Sequence, residues 1–321
     1  KGVLSVRFTG SANYLSGEAI STLRPVMNAL REVFPTVILF PGENNYLIAG
    51  DYSFDGRVLE EMESRGIEGT YLSDGYFDED LFMARLNEVN RLLSGSGRAN
   101  TNLRPDAFLG QINWWLSHFR FHSSWPVIAA IILLFLFSLL PGRHVFPGIF
   151  VLGAGAGGME IILLILLQIS AGSLYLLNGM LLACFMAGLA LGALRKDIPS
   201  GNPAGKLTRL ILAFIVLSAL PAGLAVLITT TWKLIILKTL LILFVAFAIA
   251  FLAGRYFSVA TQLHDGKAFE GRLYQYDLSG AAAGALFYPL LVIPGAGLLP
   301  AIMIISGSGI LILIFRFLMR D

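Results

Sequence analysis

Hydrophobic positions follow two rhythms along this chain, and the change comes near Trp125. Before it, apolar residues come in short bursts broken by charges and turn residues; after it they run nearly unbroken through long stretches. In the first region, residues 2–8 alternate as a strand does. Residues 23–34 place Leu23, Met27, Leu30 and Phe34 on one helical stripe that Pro35 ends. Residues 36–40 and 46–50 read as strands joined by the turn Pro41-Gly42-Glu43-Asn44-Asn45, which makes a hairpin. Asp55 is placed to cap a helix over 56–65, and Asp78 one over 79–93.

Seven apolar stretches follow: 125–140, 146–170, 174–194, 207–230, 234–254, 278–294 and 298–317. A crossing needs about 20 residues, so the first and sixth are short. Lys and Arg alternate sharply between stretches. Arg143 follows the first, Arg195, Lys196, Lys206 and Arg209 the third, Arg255, Lys267 and Arg272 the fifth, and Arg316 and Arg320 close the chain. The second and sixth connections have none, the fourth has Lys233, and Lys238 lies in the next stretch. The positive-inside rule assigns the basic connections to the cytoplasm, which puts the soluble region outside if the first stretch crosses.

Composition fits this division. The chain is 56% hydrophobic and 14% charged, against about 25% charged in soluble domains, so the lipid bilayer is a partner. A net charge of +2 gives no reason to expect nucleic acid. Cys184 is the single cysteine, which excludes an internal disulfide and a CxxC site. The domains expected are 1–99 as an α/β region, 100–124 as an interfacial amphipathic linker and 125–321 as an all-α membrane domain. Because the sequence enters directly into a strand pattern, it is expected to be the carboxyl-terminal fragment of a longer protein.

Strand, helix and closing hairpin is how many Rossmann-like methyltransferase folds finish. Together with Gly2-Val3-Leu4-Ser5-Val6-Arg7, Val33-Phe34-Pro35 and the run from Pro41 to Ala49, this region resembles the polyamine aminopropyltransferases, or spermidine synthases. Asn100-Thr101-Asn102-Leu103-Arg104-Pro105, the run from Phe185 to Gly192 and the run from Gly271 to Gly280 resemble segments of the bacterial members fused to membrane helices. The resemblance implies the end of a Rossmann-like methyltransferase-type domain followed by six or seven transmembrane helices in a bacterial inner membrane. It also implies a cytoplasmic soluble domain, a polyamine or other small amine as partner, and decarboxylated S-adenosylmethionine as cosubstrate of the full protein. The family's glycine-rich turn and acidic residues would precede Lys1, so this fragment is expected to be inactive alone, with no catalytic, cofactor-binding or metal residue assigned. Arg7 stands where the family's strand often ends in Gln, and Phe40-Pro41-Gly42 replaces a frequent Pro-Thr-Tyr. A guanidinium facing the pocket would repel a polyamine.

Polar residues inside the apolar stretches carry the remaining chemistry. Glu160 lies within the second stretch, Gln168 on roughly the same face, and Asp277 opens the sixth. A charged group at that depth costs at least about 2.5 kcal/mol, so these three are the intramembrane polar candidates. They line a polar pathway or bind a cation, or Glu160 pairs with a neighbouring helix through Arg255 or Tyr175, and Asp277 caps its helix. The cation option makes the alternative function a transporter for organic cations or small metabolites with a degenerate soluble domain. Gly153xxxGly157, Gly188xxxGly192 and Gly280xxxGly284 predict close helix packing, within the chain or in a homo-oligomer. His118 and His122 have a zinc-compatible spacing but no evident third ligand. With Trp114, Trp115, Phe119 and Phe121 nearby, they suit a helix at the membrane surface.

Overall fold

The structure, a computed structural model, describes residues 2–9, 14–52, 56–69, 71, 76–117, 145–172, 175–194, 203–230, 234–263 and 266–318. They fall into two compact units: Lys1–Thr101 with Pro105–Ser123, and Asn102–Arg104 with Ser124–Asp321. The first is a small α/β unit. Its sheet contains β1 (Val3–Thr9), β2 (Thr36–Phe40) and β3 (Asn44–Gly50), in the order β1-β3-β2. β3 is antiparallel to both neighbours, with Val6 opposite Leu47 and Leu47 opposite Leu39. β1 and β2 therefore run parallel, joined through helix α1 (Gly17–Arg31), and the last strand lies between them.

Side-chain alternation gives the sheet one covered face. Leu39 and Leu47 are fully buried and pack with Leu23 and Met27 of α1 and with Val89 and Leu93 of α3 (Glu79–Leu93). The sheet's two edges differ. On β2, the Asn90 side chain of α3 accepts from the Leu39 amide (3.1 Å) and donates to the Leu39 carbonyl (3.1 Å), standing in for a neighbouring strand. On β1, no further strand pairs among the described residues, and Val3 is 62% exposed. Asn90→Ala would strip both Leu39 groups of their partner. That is expected to lower the stability of this unit by about 1–3 kcal/mol, with faster hydrogen exchange at Leu39; unchanged Leu39 protection would refute the edge-sealing role.

Helix α1 begins six residues before the start expected from the apolar stripe. Ser16 caps it, accepting from the Ala19 amide (3.2 Å), with Glu18 in the first turn. Pro25 lies inside the helix, in its third turn. The helix ends at Arg31 rather than Phe34: the Val33 and Phe34 amides both donate to the Leu30 carbonyl, a tight turn ahead of Pro35, which disfavours helical geometry in the residue before it. Asp78 caps α3 as expected, accepting from the Leu81 amide (2.9 Å). The helix foreseen over 56–65 is the shorter α2 (Val58–Ser64), since Gly56 has φ +102°; Asp55 lies outside the described residues. The expected linker holds α4 (Asp106–Ser117).

The second unit is a helical bundle: α5 (Val145–Ala171), α6 (Tyr175–Leu194), α7 (Pro203–Thr230), α8 (Ile235–Thr261), α9 (Lys267–Phe287), a π-helical turn (Tyr288–Val292), α10 (Ile293–Ala296) and α11 (Leu298–Leu318). Among the described residues five segments are long and apolar enough to span a bilayer: Val145–Ala171, Tyr175–Leu194, Ala204–Thr229, Ile235–Thr261 and Lys267–Ala296, with a shorter apolar helix at Leu298–Ile314. The protein is an integral membrane protein with five candidate spans among the described residues, which correspond to the second to sixth of the apolar stretches. The stretch 125–140 lies outside the described residues. The sixth stretch is not short: its helix starts at Lys267, eleven residues before the apolar run, because a polar first part precedes it.

Glycine seams fix the packing. A Cβ added at Gly153 would lie 2.7 Å from the Asp277 carbonyl oxygen, and one at Gly157 would lie 2.7 Å from that of Ala281. Side chains added at Gly280 and Gly284 would collide with the carbonyls of Phe150 and Ala154. Residue numbers rise together along this seam, so α5 and α9 are parallel. Gly188 and Gly192 meet the carbonyls of Phe247 and Phe251, and Gly254 that of Leu189, so α6 and α8 are parallel too. All three GxxxG motifs thus serve contacts within the chain, the first of the two uses expected of them. On α7 and α11 the order reverses, with the buried Ser218 hydroxyl donating to Ser306 (3.0 Å) and Ile215 against Gly309.

Candidate intramembrane site

Gly153, Gly157 and Glu160 fall at i, i+4 and i+7 of α5, one stripe of a helix. Two of the three pack directly on α9, so Glu160 continues the seam beyond its glycines, where it is half-buried. Asp277 enters the same seam from α9: its Oδ1 is 3.1 Å from where a Gly153 Cβ would stand. Absence of a side chain at Gly153 is what admits that carboxyl group. Seven residues of rise separate the levels of Gly153 and Glu160, about 10 Å, so the two acids flank one interface without touching through it.

Neither acid has a hydrogen bond or ion pair with any described residue. This corrects the pairing of Glu160 with Arg255 or Tyr175. Arg255 is buried near the end of α8 whose Tyr256 hydroxyl faces Gly148, twelve residues or about 18 Å along α5 from Glu160. Tyr175 is 94% exposed at the start of α6. Asp277 does not cap its helix either, since α9 begins ten residues earlier. Gln168 stands apart from both acids: it is exposed, and two turns beyond Glu160 it is rotated by about 80°.

Of the other polar groups in the bundle, Lys238 and Arg255 are buried on α8, each engaged within the fold, while Ser218 and Ser306, which sequence reasoning passed over, form a bond that ties α7 to α11. The available signal was the same as for Glu160, a polar residue inside an apolar run. Among the described residues no three metal-binding side chains converge; His118 and His122 lie outside them.

The α/β unit holds a separate cavity of about 340 Å³, lined by Arg7, Phe8, Thr22, Gln111 and Trp114. It is built by a close helix contact, since a Cβ on Gly110 of α4 would lie 2.7 Å from the Thr22 backbone nitrogen of α1. Arg7 Nε donates to Asn44 Oδ1 (3.0 Å), which orients the guanidinium, and no carboxylate among the described residues pairs with it. Such a cavity favours a ligand carrying negative charge. Compared with known proteins, the chain matches no family model, no curated protein and no solved structure.

Proposed function

We propose that this chain is the closing part of a membrane-bound aminopropyltransferase-like protein together with its helical membrane domain. One observation carries the reading: a strand, a helix and a parallel strand are followed by a last strand that inserts antiparallel between the first two. That arrangement suits the end of a Rossmann-like methyltransferase-type sheet, and the open edge of β1 suits its continuation. Decarboxylated S-adenosylmethionine would be the cosubstrate of the whole protein, bound by residues other than these. Arg7 at the cavity favours an acceptor less cationic than a polyamine, one that carries a carboxylate or phosphate beside its amine.

The coding sequence ahead of Lys1 tests the reading. A glycine-rich strand-to-helix turn followed by acidic residues supports it; an unrelated segment there sinks it. Purified residues 1–321 are expected to transfer no aminopropyl group from the nucleoside to a diamine or amino-acid acceptor, and turnover by them would overturn the division of labour. Glu160 and Asp277 favour a second reading, transport of an organic cation through the bundle, because two acids without described partners flank one helix seam.

A further inference from the structure

We infer that the groove between α7 and α8 holds an acyl chain of an anionic phospholipid whose phosphate is bound by Arg209. The site lies wholly within the helical unit and requires neither aminopropyl transfer nor cation transport.

Contacts with α5 set the level of the groove. A Cβ on Gly155 would meet the Phe214 ring of α7 at 2.8 Å, and one on Gly148 would meet the Tyr256 hydroxyl of α8 at 2.6 Å. α11 runs against α5, with Ile312 facing Gly148 and Ile305 facing Gly155, and α7 runs against α11, so α7 is parallel to α5. α8 runs opposite to both, because its end meets the start of α5. Arg209 lies five residues before Phe214 and Arg255 beside Tyr256, which puts both arginine positions level with each other near the start of α5.

Helical periodicity places both positions on the faces that form the groove. Leu212, Val216 and Leu220 of α7 and Phe244, Phe247 and Phe251 of α8 line it, and it encloses about 660 Å³. Arg209 precedes Leu212 by three positions and Arg255 follows Phe251 by four, the spacings that keep residues on one face. At the other end the same faces continue as Leu224, Leu227, Leu237 and Leu240.

Both arginines lie inside their helices, six residues from Pro203 and six from Thr261, about 9 Å of rise. A guanidinium at that depth is costly unless it reaches a counter-ion or the interface. Arg255 is buried and engaged within the fold. Arg209 is exposed, and no carboxylate among the described residues pairs with it. A phospholipid phosphate supplies the counter-ion, because a planar guanidinium takes two of its oxygens at once, and basic pockets between transmembrane helices recognise anionic headgroups. The dimensions suit the rest of the lipid. From Arg209 to Leu220 the helix rises about 16 Å, close to half of a hydrocarbon core about 30 Å thick, so a chain anchored at Arg209 reaches the end of the groove within one leaflet. The lining is apolar and open to the bilayer, with Val216 67% exposed.

Native mass spectrometry of the purified full chain tests the site. The detergent micelle is supplied with phosphatidylglycerol and phosphatidylcholine of identical acyl chains, and the lipid adducts that survive release are counted. The parent is expected to retain one phosphatidylglycerol in preference to phosphatidylcholine. Arg209→Gln is expected to lose about tenfold of that preference, the share of a charge-assisted contact, and Arg209→Lys, which keeps the charge without the two-oxygen fit, to fall between them. Arg272→Gln is the control: this exposed arginine of α9 lies at a similar level, five residues before the Asp277 that faces Gly153, and lines no part of the groove. Its preference should equal the parent's. Val216→Trp fills the groove and is expected to displace both lipids with every charge in place. An unchanged preference in Arg209→Gln, an equal loss in Arg272→Gln, or lipid retained by Val216→Trp would overturn the inference. So would a dimer in place of the lipid adduct that Val216→Trp abolishes, which would assign the groove to a second copy of the chain.

Discussion

Gly284→Val is expected to open the α5–α9 seam and to destabilise the bundle by about 3 kcal/mol or more, at or above the upper range for overpacking a filled interior. The reason is what the new atoms would meet. Even the first of them would fall on the Ala154 carbonyl, and backbone cannot step aside by changing rotamer as a leucine can. Neighbouring sites compound the effect, because Gly153, Gly157 and Gly280 hold the same two backbones together. Lipid tails are as apolar as the helices they surround, so close packing, rather than burial from water, keeps the pair together. Gly223→Ala is the control. It sits exposed on α7 with nothing within 4 Å of a new Cβ, and loss of glycine from a helix interior should leave stability unchanged or raise it by about 0.5–1 kcal/mol. Thermal unfolding of both variants in lipid nanodiscs reads the contrast; a Gly284→Val protein that melts with the parent would show that this seam does not hold the bundle.

Much of this architecture is written in local pattern. β2 falls where alternation places it, Asp78 caps its helix, and the GxxxG motifs mark true helix contacts, because each depends on residues within one or two turns. What failed depends on neighbours remote in sequence. The pattern placed the start of α1 at its buried stripe, yet Ser16, outside that stripe, starts the helix. The polar first part of α9 made its span look short, because an apolar count cannot register that Leu273 and Tyr276 are buried by α5 and its neighbours. Glu160 was visible as an acid in an apolar run. Which helix it faces was not, since that follows from the pairing of parallel helices α5 and α9, separated by more than a hundred residues. The insertion of β3 between β1 and β2 is likewise beyond local pattern: a hairpin signal gives the β2–β3 pair, while the partner of the other β3 edge is set by the helix that carries the chain across.

Glu160→Leu is expected to make the protein more stable and less active. A carboxyl group deep in a span costs about 2.5 kcal/mol or more when charged, and leucine removes that cost while suiting lipid and helix alike. Glu160 is half-buried with no ion pair among the described residues, so the substitution leaves no described cation stranded and its stabilising effect should approach the full transfer difference. A residue that opposes stability and is nonetheless present points to a role in function. Asp277→Asn makes the companion test, since an amide of nearly the same shape preserves the fit against Gly153 and changes charge alone. Thermal unfolding in nanodiscs should show a gain of about 2 kcal/mol for Glu160→Leu, and proteoliposomes loaded with a pH-sensitive dye should lose any amine-driven proton movement in both variants. A fall in stability on Glu160→Leu would mean that the carboxylate holds the bundle together through a structural partner. Retained stability gain with unaltered flux would leave Glu160 tolerated rather than used, and the transport reading would lose its support.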